Sequence, residues 1–497
     1  MSKKEAFINL VVSVVSNIII LVMGLIIPRV LLTHYGSDTN GFIGTITQIF
    51  TYVALLEAGI GQATLNALYE PLKRDNKSDI INVLYISRAY YRKVTYLYGF
   101  AVLILSIILP FVIKSDLSYF TIFLSVLFEG FSGVINFYFI QTPSMLFVAD
   151  GKTYLKSIID LSIKILGYAI KILLALFYAN IVFIQLGFFV LSLVKLLFYK
   201  IIIRKRYSWV DYSKCQNKSL SLPNRNDYII TELAWTLFSS TDLIVLSLFT
   251  STKMSSVYSV NNMVFLALNN LLYAAYNGVY YLLGRTYHES IEAYKKLHDL
   301  FNSFFMSAVT VFMCVALLLS ESFIKIYTDG VVDVSYNFYW LPLCFCFIQL
   351  LSWSRYVSGN LTSIAGYAKP VSRISLIEAI INAVLSVILV NFWGIYGVVI
   401  ATVIALPLKV IYTNYLADRV ILKRSSKNTV LIMGLNYLIF ASTVIVKQFI
   451  KIDIYNFITF AKYGILFSFI YFIIVFTINC ILNKEMINAI IKIVRKK

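Results

Sequence analysis

A chain of 497 residues that is 59% hydrophobic and only 13% charged, with a mean hydropathy of +0.80, has too little polar surface to fold in water. That composition excludes a soluble globular enzyme and describes an integral membrane protein. The net charge of +19 would suit nucleic acid, but its placement along the chain answers to membrane topology instead, so no nucleic acid is expected.

Crossing a hydrocarbon core as a helix takes roughly 20 apolar residues. The sequence predicts fourteen such spans, at 7–32, 41–66, 90–113, 118–147, 155–178, 181–203, 228–249, 256–283, 301–325, 336–358, 371–390, 394–416, 429–447 and 457–482. The runs are helix-length rather than ten-residue alternations, and lipid tolerates no unsatisfied amide, so the expected class is an all-α polytopic membrane protein. Few residues separate the spans within 155–203 and within 371–416, which predicts two antiparallel hairpins. The first run is longer than the core of a signal peptide and is expected to stay as a span.

Cytoplasmic loops retain lysine and arginine. With the N-terminus inside, the inner segments hold Lys3, Lys4, Lys73, Arg74, Lys77, Arg88, Lys152, Lys156, the basic residues from Lys200 to Arg225, Arg285, Lys295, Lys296, Lys369, Arg373, those from Arg419 to Lys427, and the tail. The outer loops hold Lys114, Lys253, Lys325, Lys447 and Lys451. Both termini are therefore expected in the cytoplasm, with anionic inner-leaflet lipid attracted to the same face.

The polar stretch 204–227, with a turn signal near Pro223, separates six spans from six. The expected organisation is an N-lobe at 1–203, a cytoplasmic connector at 204–227, a C-lobe at 228–425, and a last pair of spans with a basic tail at 426–497. Transporters are often built from two such lobes, pseudo-symmetric around a central cavity. No extramembrane segment approaches the usual 50-residue minimum for a domain. Gly151-Lys152-Thr153 lacks the upstream glycine of a phosphate-binding loop, since position 146 is Leu, so ATP hydrolysis is not expected. The five cysteines suggest no disulfide pattern, and Cys344-x-Cys346 points to different sides of a helix, so no metal site is expected.

An ionised side chain at mid-bilayer costs about 2.5–3.5 kcal/mol on insertion scales, so it usually faces protein or water and marks a pathway. Arg29 follows Pro28, which should bend the first span; snorkelling to the outer headgroups is its simpler reading. Lys164 and Lys171 lie two turns apart on one face of the fifth span, with Asp160 placed to pair with Lys164 inside the helix. Lys195, Arg355 and Lys409 sit in later spans. The cations chosen to bind a diphosphate are Arg29, Lys164, Lys171 and Arg355. Among the acids, Glu57, Asp242 and Glu378 are candidates for ion coupling or charge pairing, with Glu129 and Glu232 beside them. Asn262, Asn269, Tyr273, Tyr276 and Tyr280 form one helical stripe in the eighth span, suited either to sugar hydroxyls and C–H faces or to ordinary interhelical hydrogen bonds.

The segments PRVLLTHYGSDTNGFIG (28–44), LLEAGIGQATLNALYEPLKRDN (55–76), TPSMLFVADGKTYLKS (142–157), STDLIVLSLFTSTKMSSVYSV (240–260) and GIYGVVIATVI (394–404) resemble those of the Wzx-type polysaccharide repeat-unit flippases. These belong to the multidrug/oligosaccharidyl-lipid/polysaccharide (MOP) exporter superfamily. The resemblance covers about residues 5–425 and implies alternating access in a bacterial plasma membrane, with export of an undecaprenyl-diphosphate-linked oligosaccharide for capsule, exopolysaccharide or other surface polysaccharide. It also implies a polysaccharide polymerase and glycosyltransferases as partners, membrane lipids around it, and no cofactor beyond coupling to an H+ or Na+ gradient. Competing expectations are a MATE-like multidrug antiporter, which the lysines of the fifth span argue against, and a membrane glycan polymerase or ligase, which would need a larger outer loop.

Overall fold

The computed structural model describes residues 3–215, 225–449, 454, 456–483 and 485–487. Pro223, Lys451 and the end of the basic tail lie outside the described residues. Helices account for nearly all of what is described, and the protein is an all-α polytopic membrane protein.

In chain order the first unit contains α1 (Lys3–Val53), α2 (Ile60–Lys73), α3 (Lys77–Val112), α4 (Tyr119–Ile135), α5 (Gln141–Ala149), α6 (Thr153–Leu176), α7 (Ile181–Arg206) and α8 (Arg225–Phe249). Next come α9 (Thr252–Glu289), α10 (Ile291–Tyr327), α11 (Leu341–Trp353), α12 (Tyr356–Ile364), α13 (Ala368–Trp393), α14 (Ile395–Tyr415), α15 (Lys427–Phe449) and α16 (Phe457–Leu482). Among the described residues nine helical segments are apolar and long enough to cross a membrane. α6 is not one of them, because Lys156, Asp160, Lys164 and Lys171 crowd its length.

Several helices start where the sequence supplies an acceptor for an orphan amide. Asn76 caps α3 by accepting from the Asp79 amide, Ser118 caps α4 through Thr121, and Ser290 caps α10 through Ala293. The two expected hairpins form: α6 and α7 join through a short turn, and α13 and α14 join at Gly394, whose φ of +53° only glycine adopts without strain.

The first two spans are two helices that meet within α1 at Gly36, whose backbone leaves the helical region with φ at +81°; Pro28 lies inside the first of them. The second span ends early: a 3-10 turn at Ala54–Glu57 and a left-handed Gly59 separate α1 from α2. The tenth span is broken too, into α11 and α12 at Ser354 and Arg355.

Tertiary packing divides the chain into Met1–Ser256 and Val257–Lys497. In the first unit α8 docks along α1, where Tyr52 Oη bonds Thr241 Oγ1 at 2.5 Å and Thr45 bonds Ser247. Gly41 lets this region close up, since a Cβ there would meet the backbone of Thr252 and Ser256. α8 thus packs against α1 within this unit. In the second unit α10 is the central helix, with α11, α15 and α16 against it.

Candidate functional site

In the first unit the charged residues fall into two groups. Around the 3-10 turn after α1, Glu57 accepts from Gln141 Nε2 at 3.4 Å, and Glu232 Oε2 accepts from the Gly59 amide at 2.9 Å. The helix break exposes that amide, so the acid is bound to a feature of backbone geometry. The two carboxylates feel one another's charge, and Lys156 acts on Glu57 with the opposite sign. Asp242, beside Thr241 on α8, acts electrostatically on Tyr52.

The second group lies on the α6–α7 hairpin. Lys171 sets its ammonium 4.5 Å from the ring centroid of Phe188, within the electrostatic reach of Glu129 on α4. Gly167 makes room for the same ring, since a Cβ there would approach Phe188 to 2.8 Å. Asp160 pairs with Lys195 of α7 at 2.8 Å and not with Lys164, which corrects the intrahelical pair expected from spacing. Lys164 is exposed and Arg29 half-buried in α1. Lys164 and Lys171 thus share a helix but not an environment.

In the second unit the break between α11 and α12 delivers Arg355, whose Nε is shielded from water and has no hydrogen-bond partner among the described residues. Its charge acts on Glu378 of α13 and Lys409 of α14. Glu378 is 1% exposed and holds Lys409 at 3.6 Å. Two cations therefore act on one carboxylate, which leaves an excess of positive charge among these three residues.

The stripe on α9 is divided. Asn269 Oδ1 accepts from Trp353 Nε1 at 2.9 Å, and Tyr276 Oη donates to the Tyr356 carbonyl at 3.0 Å, so both side chains bond to the segments on either side of the helix break. Tyr273 and Tyr280 are exposed, and Asn262 is half-buried.

Sequence reasoning missed a fourth cluster, in which Arg424 bonds Asp299 at 2.7 Å, Asp418 at 2.9 Å and His298 Nδ1 at 3.0 Å. Burial works against the Arg424 charge, but the two carboxylates outweigh it and hold the guanidinium above its ordinary range. A guanidinium only donates, so Nδ1 accepts and the ring proton sits on Nε2. That proton points to Ser358 at 3.2 Å, Ser358 donates to Asn414 Oδ1 at 2.7 Å, and Asn414 Nδ2 donates to the Ser354 carbonyl at 3.0 Å. The relay ends at the residue before Arg355. Its members come from α10, α12, α14 and the segment after α14, so no short motif in the sequence announces it.

The chain is similar in structure to "Lipid II flippase MurJ, inward closed conformation", with a TM-score of 0.70 and 13% identity over 96% of this chain and 100% of that one. It is also similar to an inward-facing multidrug resistance MATE family transporter of the MOP superfamily, at 0.62 and 12% over 85% and 95%. The MATE multidrug transporter DinF-BH matches at 0.59 and 13% over 86% and 97%. No family model and no curated protein matches. The fold is the one shared by these MOP-type transporters.

Proposed function

We propose that this protein is a flippase that moves a polyprenyl-diphosphate-linked oligosaccharide from the inner to the outer leaflet of a bacterial plasma membrane by alternating access. The observation that carries this reading is the surplus of interior cations over acids at Arg355, Glu378 and Lys409, on a fold similar to that of a lipid II flippase over nearly the whole chain. A diphosphate enters lipid only if its hydration is replaced, and guanidinium and ammonium groups supply both the donors and the countercharge. Lys171 supplies a further cation, which an aromatic face supports without occupying its N–H donors. The exposed phenols Tyr273 and Tyr280 are the stripe residues best placed for sugar, since Asn269 and Tyr276 are bonded to the protein.

Direction requires an energy source, because a ligand shifts an equilibrium only by its differential affinity for the two states. Consumption of the product outside, by a polymerase, supplies it, or an H+ or Na+ gradient acting at Glu57, Asp242 or Glu378.

The test is reconstitution in liposomes with a fluorescent polyprenyl-diphosphate-linked glycan. Transport by the wild type, and a loss of about tenfold or more in both Lys171→Ala and Arg355→Gln, is expected from the removal of one charge-assisted bond each. Undiminished transport in the double variant would reject these assignments. The neighbouring carboxylates Glu57 and Glu232 favour one second reading, a cation-exporting multidrug antiporter. Under it, cells carrying the protein would gain drug resistance that Glu57→Gln abolishes, and the liposomes would move no glycan.

A further inference from the structure

The first unit contains a basic cleft that the transport reading does not use. It occupies about 200 Å³ between α3, α7 and the π-helical turn joining α4 to α5 (Asn136–Ile140), and its walls include Arg88, Lys200, Arg204, Tyr138, Phe139 and Tyr212. At ~30 Å³ per water it has room for about seven waters, enough for a phosphate with its ester arms.

Among the described residues no carboxylate lines it, and Arg88, Lys200 and Arg204 make no salt bridge, nor does Arg92 one turn further along α3. Aromatic faces hold these cations instead: Arg88 lies 4.5 Å from the Tyr212 centroid, Arg92 5.2 Å from Tyr138 and Lys200 5.8 Å from Phe139. A ring orients a cation through its face and leaves the N–H edges open. Tyr138 and Phe139 reach the cleft because the π-helical turn re-aims them, a device frequent at functional sites. The neighbouring acids are engaged elsewhere: Asp160 pairs with Lys195, and Asp211 accepts from the amide and hydroxyl of Ser213.

The surroundings separate a lipid from a free anion. Phe139 of the cleft wall is exposed, as are Leu197, Phe198 and Ile201 on the other faces of α7, an apolar surface that acyl chains would cover and a soluble ion would leave wet. We propose that the cleft binds the phosphate of an anionic phospholipid headgroup, with the acyl chains along the outside of α7.

The experiment uses purified full-length protein in neutral detergent and measures retention of added phosphatidylglycerol, phosphatidylcholine and inorganic phosphate by native mass spectrometry, with thermal midpoints in parallel. Phosphatidylglycerol should bind and raise the midpoint, and phosphatidylcholine should not. Each basic residue near a charged membrane surface contributes about a fivefold factor, so Lys200→Gln with Arg204→Gln should weaken phosphatidylglycerol binding about 25-fold while the midpoint without added lipid stays at the wild-type value. Should that pair lower the basal midpoint, Lys200→Gln alone, at an exposed position, carries the test with a loss of about fivefold. Equal binding by wild type and variant overturns the proposal. So does a midpoint rise reproduced by millimolar inorganic phosphate, which would make the cleft a soluble-anion site.

Discussion

Glu378 is 1% exposed, sits beside Lys409 and within the field of Arg355, and is the residue whose loss the second unit should tolerate least. Neutralising it leaves two cations shielded together, which costs about 3–5 kcal/mol when a buried pair is broken. Glu378→Gln is expected to lower the thermal midpoint in detergent sharply, and Lys409→Met added to it should recover part of the loss. If the single and double variants melt alike, the pairing has no energetic weight. Glycine supplies a second contrast at this scale. A Cβ on Gly41 would meet the Thr252 carbonyl oxygen, whereas one on Gly24 meets nothing within 4 Å among the described residues. Gly41→Ala should therefore cost most of the folded yield in size-exclusion profiles, and Gly24→Ala should leave it unchanged. The sequence shows both glycines with equal clarity, but only the neighbours of each decide its cost.

At the scale of elements, the break between α11 and α12 is the most consequential departure from an ideal span. An uninterrupted helix would keep the carbonyls of Ser354 and its neighbours occupied, but here Asn414 bonds the Ser354 carbonyl, at the end of the chain of hydrogen bonds from Arg424 through His298 and Ser358. Cutting the relay at Ser358→Ala should loosen the break more than the rest of the unit, read as faster amide exchange at 354–360 with α13 unaffected. α16 offers a separate test. Asn436 and Asn479 exchange amide hydrogen bonds at 3.0 and 3.3 Å between α15 and α16. Asn479→Leu alone leaves Asn436 Oδ1 without its donor, although Nδ2 keeps the Ile432 carbonyl, at a cost of about 1–2 kcal/mol, while the double leucine variant should be near neutral, and thermal midpoints distinguish the two. Hydropathy located most helix ends to within a few residues, since apolar length is a local property, but it missed the polar first turns of α3 and α10, which start at Lys77 and Ile291 and not at 90 and 301. It ran through the interruptions at 54–59 and 354–355, because a helix break inside a membrane protein is satisfied by partners such as Glu232 and Asn414 that lie far away in sequence.

For the whole molecule, lysines and arginines divided between alternate loops predict that the connector is cytoplasmic. Cys215, in that connector, is a reporter, since Cys314 and Cys346 are buried and Cys344 and Cys480 lie within helices. A membrane-impermeant maleimide should label Cys215 in inside-out vesicles and not in intact spheroplasts, and Cys215→Ser should abolish the signal. By itself the sequence determined the class, the helices and the expected orientation, because burial in lipid and charge retention are sums over consecutive residues. It also marked the charged residues that lie within spans, since an ionised group within an apolar run stands out wherever it points. Only the tertiary structure decided their partners: Asp160 with Lys195, Glu378 with Lys409, Asn269 with Trp353, and Arg88 with the ring of Tyr212 in a basic cleft. Helical periodicity places a side chain on a face, but which helix meets that face within bonding distance depends on packing between segments distant in the chain.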